Sequence, residues 1–482
     1  MSPLDLPNPR SSTRVALVAA SLAASAYAGC GSGPTQIVST TSGAGSGSGG
    51  ATSASSHVSA SHGSATSASA SSADASSVSS SSASSGGVGG GDPQNLVSVS
   101  PQSFLEAETH VAAAPNGLVA IAWIAVEMGG QSANGYVFSK DGGATWSTPA
   151  MLSSPGGRVA SDPVLAVDQQ NNFYMSWVGF KRDAQGNPLD MHVYVAQAPA
   201  GTTSFGAPVE VSTPNPGDQL DKPWITVTGK DTLIVTYAKT STGGIYAGRS
   251  TDQGKTWSNT VIVEDMGFRN LVFPCAPASG NRLWATYHAG GGIGLRWSDD
   301  DGVTWPDTNK TAVAAMGEMP GFDDPTCVAS GNEVWVSYGL TNDTFGGMNA
   351  PKLFALKLAH SGDGGATIDY RADATDAAAG MYFQHPQLVR ETGGTLRLVY
   401  YAGQMEMDPK GSFRRSASTD GGHTWQPSVD VHRYVDFLTD RASPLWLGDY
   451  VGAWWLNNTL FMSYADNTGM YTHIGFAKAA TP

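Results

Sequence analysis

The chain reads as an all-β protein: a seven-bladed β-propeller of four-stranded antiparallel blades, closed by an N-terminal strand. Two repeats carry this reading. The first is an eight-residue turn found five times: Ser139 to Trp146, Ser250 to Trp257, Ser298 to Trp305, Ser361 to Ile368 and Ser418 to Trp425. Its form is S-x-D-x-G-x-T-W, with Ile368 replacing the tryptophan in one copy. The second repeat is an alternating apolar strand ending in an aromatic: Trp123, Trp177, Tyr237, Tyr287, Tyr338, Tyr401 and Tyr464. These aromatics stand roughly 50 to 63 residues apart, room for one four-stranded sheet each. Seven of them imply seven blades.

Along the chain, residues 1–30 read as a targeting segment. Arg10 and Arg14 precede an apolar run from Val15 to Ala28 that is too short to span a bilayer. The stretch Tyr27-Ala28-Gly29-Cys30 resembles a bacterial lipobox, which implies a lipid on Cys30, although Tyr27 stands where Leu is usual. Residues 31–93 are Ser, Ala, Gly and Thr with almost no large apolar side chain, a composition that cannot bury a core and serves as a tether. The propeller is expected over 94–482. Asn95 to Ser100 (NLVSVS) supplies the fourth strand of the last repeat, which otherwise stops at its third strand, His473 to Ala479. Such closure removes an open sheet edge.

The eight-residue turn has a local rationale. Short Ser and Asp side chains bond back to the main chain, and Gly accepts a positive φ. The motif resembles the Asp box of the sialidase-like superfamily, a group of β-propellers, with divergence from typical sialidases, which have six blades. The resemblance implies that Asp141, Asp252, Asp300, Asp363 and Asp420 are structural and lie on the face away from ligand. It also implies a glycan-active protein, a possible glycoside hydrolase. An ordinary exo-sialidase is disfavoured, because the F-R-I-P arginine motif is absent and Glu108-Thr109-His110 stands in the first repeat instead. The arginines assigned to the ligand face are Arg182, Arg269, Arg433 and Arg441.

The formal net charge of −14 argues against nucleic acid, whose binding needs clustered cations. No second apolar run could cross a membrane, so any membrane contact is by the lipid anchor only. Cys275 and Cys327 fall in equivalent strands of adjacent repeats and read as two buried apolar thiols; an exported compartment also permits a disulfide.

Counting back about 15 residues from each strand-end aromatic reaches Glu108, Asp162, Asp221, Phe273, Asp324, His385 and Asp449. Convergent carboxylates repel one another, and some take raised pKa values unless a cation or hydrogen bonds satisfy them. Asp162, Asp221, Asp324 and Asp449 are the candidate acid and base or nucleophile. Calcium is the candidate cation, with no other cofactor expected. The repeat would equally copy a structural Asp that caps each strand entry, and both readings stand. Glu108, Arg269, His385, Arg441, Tyr287, Tyr401 and Trp446 are the candidate substrate-binding residues, with aromatic rings offered to pyranose faces. The first functional reading is an exported, lipid-anchored propeller of the bacterial envelope that recognises, and in one version hydrolyses, an extracellular glycan or polysaccharide. The alternative is a non-catalytic scaffold for an envelope protein partner.

Overall fold

The computed structural model describes residues 97–100, 105–127, 132–264, 267, 269–342, 353–375, 381–404, 410–436 and 444–480. Cys30, the tether and Arg441 lie outside the described residues, as does Glu406.

Four antiparallel meanders follow one another in sequence. The first is Leu105–Ala113, Val119–Val126, Ser132–Ser139 and Ala150–Leu152; the second is Val159–Val167, Phe173–Arg182, Pro188–Ala198 and Val209–Glu210. The third is Leu220–Val227, Leu233–Lys239, Gly244–Ser250 and Ser258–Glu264; the fourth is Asn270–Cys275, Leu283–His288, Ile293–Ser298 and Lys310–Ala312. Strands from Thr326–Ser330 to Val429–Asp436 then form one eight-stranded sheet. The last sheet holds Gly452–Leu456, Thr459–Asp466 and His473–Ala480, with Val97–Ser98 pairing against the final strand.

Seven separate blades were expected. Five four-stranded sheets stand alone, and the remaining strands are continuous. The continuity has a local cause: Leu353 on one strand pairs with Phe383 on Met381–Arg390, joining two meanders into a single sheet.

First strands of successive sheets pack against one another, and Gly452–Leu456 returns to Leu105–Ala113. Their apolar side chains explain the order. The strand-end aromatics predicted from sequence are all buried, Trp123 and Trp177 completely. Three of them lie over a glycine directly across the ladder: Trp123 over Gly135, Tyr287 over Gly294 and Tyr464 over Gly475. A Cβ at Gly294 would stand 2.4 Å from the Tyr287 ring, so the aromatic takes the volume its partner vacates.

The eight-residue turns share one bonding pattern. In the first, Ser139 Oγ donates to Asp141 Oδ1 at 2.7 Å and accepts from Gly143 N at 2.7 Å. Thr145 donates its N–H at 2.8 Å and its hydroxyl at 2.6 Å to the same carboxylate. The same bonds recur around Asp252, Asp300, Asp363 and Asp420. The serine is itself buried, and so is the glycine N–H it satisfies. Ser418→Ala is therefore expected to cost about 1–3 kcal/mol by orphaning Gly422 N–H, measurable as a lower urea midpoint at unchanged slope.

Cys275 and Cys327, read as free thiols, are instead disulfide-bonded, with Cα atoms 5.8 Å apart. They sit on neighbouring first strands, Asn270–Cys275 and Thr326–Ser330, which packing brings into register for a bridge.

Candidate functional site

Five of the first strands carry an irregularity. The ladder shifts register between Ala107 and His110, Ser161 and Val164, Asp221 and Trp224, Asn270 and Phe273, and Gln384 and Gln387. Within each bulge one residue is left-handed: Glu108 (φ 51°), Asp162 (55°), Lys222 (50°), Leu271 (51°) and His385 (56°). A bulge turns a side chain out of the pleat and re-aims it. Asp162, Lys222 and His385 are each followed by proline, where such a backbone is further disfavoured, so the surrounding fold must hold it.

This register corrects two of the sequence-derived positions. Lys222, not Asp221, is the counterpart of Asp162. Leu271, not Phe273, is the counterpart in the fourth sheet, and Pro274 falls outside the bulge.

Lys222 is the centre of the site. Its Nζ donates to Asp162 Oδ1 at 2.8 Å, Asp449 Oδ2 at 2.9 Å and Glu108 Oε1 at 3.2 Å. The ammonium also lies 5.6 Å from the Tyr450 ring centroid. Tyr450 donates its hydroxyl to Pro163 O at 3.1 Å, and Ser161 Oγ donates to Asp162 Oδ2 at 2.6 Å. The Lys222, Glu108 and Asp162 side chains are buried, and that of Asp449 is 12 % exposed. Two carboxylates from two sheets and a third from the loop before Gly452–Leu456 thus share one cation.

Asp221 is partly buried beside this group. Its carboxylate accepts the Lys222 N–H and the Asn270 side-chain amide, both at 2.9 Å. Asp324 is buried, and both its carboxyl oxygens lack a hydrogen-bond partner among the described residues. The neighbouring Asp323 accepts the His385 N–H at 2.7 Å and the Asp324 N–H at 2.9 Å.

The electrostatics follow from burial and crowding. Burial, with the charges of Asp162 and Asp449, raises Glu108 well above the usual carboxylate range against the pull of Lys222. Burial raises Asp324 likewise, with Asp323 adding to it. Burial pushes Asp221 up to about 6, opposed by Lys222. For Lys222, burial favours the neutral form, but the carboxylates around it outweigh burial and hold the amine charged.

The sign for Asp221 is definite. Its ordinary value is 3.8, so the folded chain takes up a proton as pH falls through about 6 while the unfolded chain does not. This group therefore favours folding more at pH 4 than at pH 8. Asp221→Asn removes that dependence and is expected to be more favourable, relative to wild type, at pH 8 than at pH 4. Paired denaturation curves at the two values test this, and equal differences at both would contradict it.

Several candidates are placed elsewhere. Tyr401 is fully buried, donating its hydroxyl to Ala465 O and accepting the Ala465 N–H, both at 2.8 Å. Tyr287 is buried in the core over Gly294. Trp446 is buried with Leu105, Ala107, Ile124 and Val126. None of the three offers a ring to a sugar, because each strand-end or loop aromatic is consumed in packing. His385 is buried, its ring edge-on to Tyr401 and its Nδ1 3.4 Å from Asp323 Oδ1. Arg269 stands beside buried His288, whose pKa burial lowers to about 4. Arg433 is largely exposed and bonds Asp430 at 2.8 Å.

Among the described residues no three His, Cys, Asp or Glu side chains are grouped so as to hold a metal ion. At the point where Glu108, Asp162 and Asp449 meet, the Lys222 ammonium stands where a cation would otherwise be needed. Lys222 is the residue that sequence reasoning missed. The signal was the X-Pro step shared by Asp162-Pro163, Lys222-Pro223 and His385-Pro386.

No protein-family profile matches the chain, and no characterised protein matches it in sequence. Solved structures do resemble it. A polysaccharide lyase described as an ulvan lyase, bound to -[GlcA(1-4)Rha3S]-, shares 11% identity at a TM-score of 0.53, over 79% of this chain and 95% of that one. A protein of unknown function from Dyadobacter fermentans shares 16% identity at 0.49, over 81% and 99%. The NanB sialidase of Streptococcus pneumoniae, as a K499G mutant, shares 12% identity at 0.44, over 80% and 70%. At these identities the likeness is one of fold. The chain is an all-β propeller. No helix among the described residues is long and apolar enough to cross a membrane.

Proposed function

We propose that the chain is an exported propeller that binds, and hydrolyses, an extracellular glycan at the lysine-centred carboxylate cluster. The observation that carries this is the convergence of Glu108, Asp162 and Asp449 on one buried ammonium, with proton-holding Asp324 and with Asp221, raised only to about 6, alongside. A carboxyl that keeps its proton near neutrality in a crowded acidic site, as Asp324 does, suits general acid chemistry, and one that has lost it suits a base. Asp324 is assigned as the acid. Asp221, the more exposed member, is the base or nucleophile. Asp162 and Asp449 hold the field together through Lys222. The fold likeness to a polysaccharide lyase supports a glycan as ligand.

On this reading the eight-stranded sheet is two blades fused at one residue pair, giving a ring of seven. Val97–Ser98 is its closing strand, and the five serine–aspartate turns are Asp boxes. Residues 1–30 direct export, Cys30 carries the lipid, and 31–93 tether the ring at the bacterial envelope. A disulfide on the first strands suits an oxidising compartment.

Single Asp→Asn exchange at positions 162, 221, 324 and 449 tests the site, with sugar release measured on neutral, amino and uronic polysaccharides. Loss of Asp324 or Asp221 is expected to lower turnover by about 10²-fold or more. Unchanged release in all four folded variants would sink the assignment. A second reading, a non-catalytic scaffold for an envelope protein, is favoured by one observation: Lys222 already satisfies three carboxylates inside the ring. It predicts protein capture and no sugar release.

A further inference from the structure

We infer that the groove between the outer strands of the second and third sheets is a second carbohydrate site, taking one pyranose unit of a polysaccharide on the indole of Trp257. The inference rests on the glycan reading above. It concerns a different part of the molecule.

The groove encloses about 430 Å³, within the size range of small-molecule sites. His192 and Glu210, in contact with each other, line it together with Thr213, Lys255, Trp257 and Asn259. Trp257 is fixed before any ligand arrives. Its Nε1–H donates to Gly254 O at 3.0 Å, and its ring lies against Gly248, where an added Cβ would stand 3.4 Å away. A pre-set indole loses little freedom on binding and offers an apolar face to the C–H groups of a sugar ring. Asn259 is equally fixed, donating to Val211 O at 2.6 Å and accepting from the Tyr237 hydroxyl at 2.9 Å.

The His192–Glu210 pair is built with similar care. His192 Nδ1 lies 2.6 Å from Glu210 Oε1, and its Nε2 lies 3.0 Å from Asp190 Oδ1. Arg158 and Lys181 hold the other oxygen of Asp190 at 2.7 and 2.9 Å. Glu210, 43% exposed, is thereby oriented as an acceptor for hydroxyl groups. Lys255 is an exposed donor on the lining. One rigid aromatic face together with an acceptor and a donor is suited to a polyhydroxylated ring. A phosphate would meet the Glu210 carboxylate, and an apolar segment would strand both charged groups. The central cluster is built at the first strands and this groove at the outer ones, so the two can be tested apart.

The test is affinity electrophoresis of the full chain through gels containing each polysaccharide of the panel. Trp257→Ala is expected to weaken retardation by roughly tenfold, equivalent to about 1.4 kcal/mol. Glu210→Gln and Lys255→Ala change exposed side chains and keep the fold intact if Trp257→Ala does not; each is expected to weaken binding about threefold to tenfold. Wild-type retardation in the Glu210 and Lys255 variants would overturn the groove. If those variants bind normally while Asp221→Asn or Asp324→Asn loses turnover, the groove fails and the glycan reading stands. If wild type is retarded by no polysaccharide, the groove fails; if it also releases no sugar, the glycan reading fails with it.

Discussion

Lys222→Met is expected to lower the unfolding free energy by about 3–5 kcal/mol, the cost of leaving buried charges without their partner. Methionine matches the volume of the lysine stem, so the loss reports the ammonium rather than a cavity. Without it, Glu108, Asp162 and Asp449 face one another at a shared point from which water is largely excluded. Their only relief is protonation. The deficit should therefore shrink as pH falls from 8 to 5, because the folded variant takes up protons that the unfolded chain does not. Denaturant midpoints of wild type and variant at both values give the comparison. A deficit that is the same at pH 5 and pH 8 would show that Lys222 acts by packing alone.

Gly448→Ala should be of similar size, about 3–5 kcal/mol, for a steric reason. Gly448 has φ +97°, a conformation that L side chains rarely adopt. An added Cβ would lie 2.4 Å from the backbone nitrogen of Glu108, and no rotamer change can relieve contact with a main chain. The affected neighbours are Glu108 and Asp449, two of the three acids on Lys222, so any relaxation also loosens the cluster. Gly117→Ala is the control: its φ is +89°, yet nothing lies within 4 Å of the added methyl. It should cost only the backbone strain, about 1–2 kcal/mol. Equal losses in the two variants would refute the packing account.

The architecture was legible because the serine–aspartate turns and strand-end aromatics are local signals. Ser139, Asp141 and Thr145 bond within a few residues of one another, and Trp123 meets Gly135 across an adjacent strand. Positions near the site were legible to within one or two residues: Glu108, Asp162 and Asp449 were found, Phe273 was not the right residue, and Lys222 was overlooked beside Asp221. A bulge adds a residue without changing the apolar alternation, so counting back from an aromatic cannot see it. The partner sheets of a carboxylate are invisible for a stronger reason. Lys222 and Asp449 are 227 residues apart and meet only because the ring closes. Tyr401 and Trp446 looked like exposed platforms, but burial depends on neighbours that one strand does not disclose. The link between Leu353 and Phe383 is a single contact with no motif.

The sulfur bridge from Cys275 to Cys327 clasps two neighbouring petals covalently. The join between the first petal and the last has no such clasp. There Gly452 sits where a methyl group would lie 2.5 Å from Val111 N, and Lys222 draws Glu108 and Asp449 together. At that seam the acids gathered around Lys222 stand in for a covalent link, and a parting of the circle there would have to pull them off the ammonium.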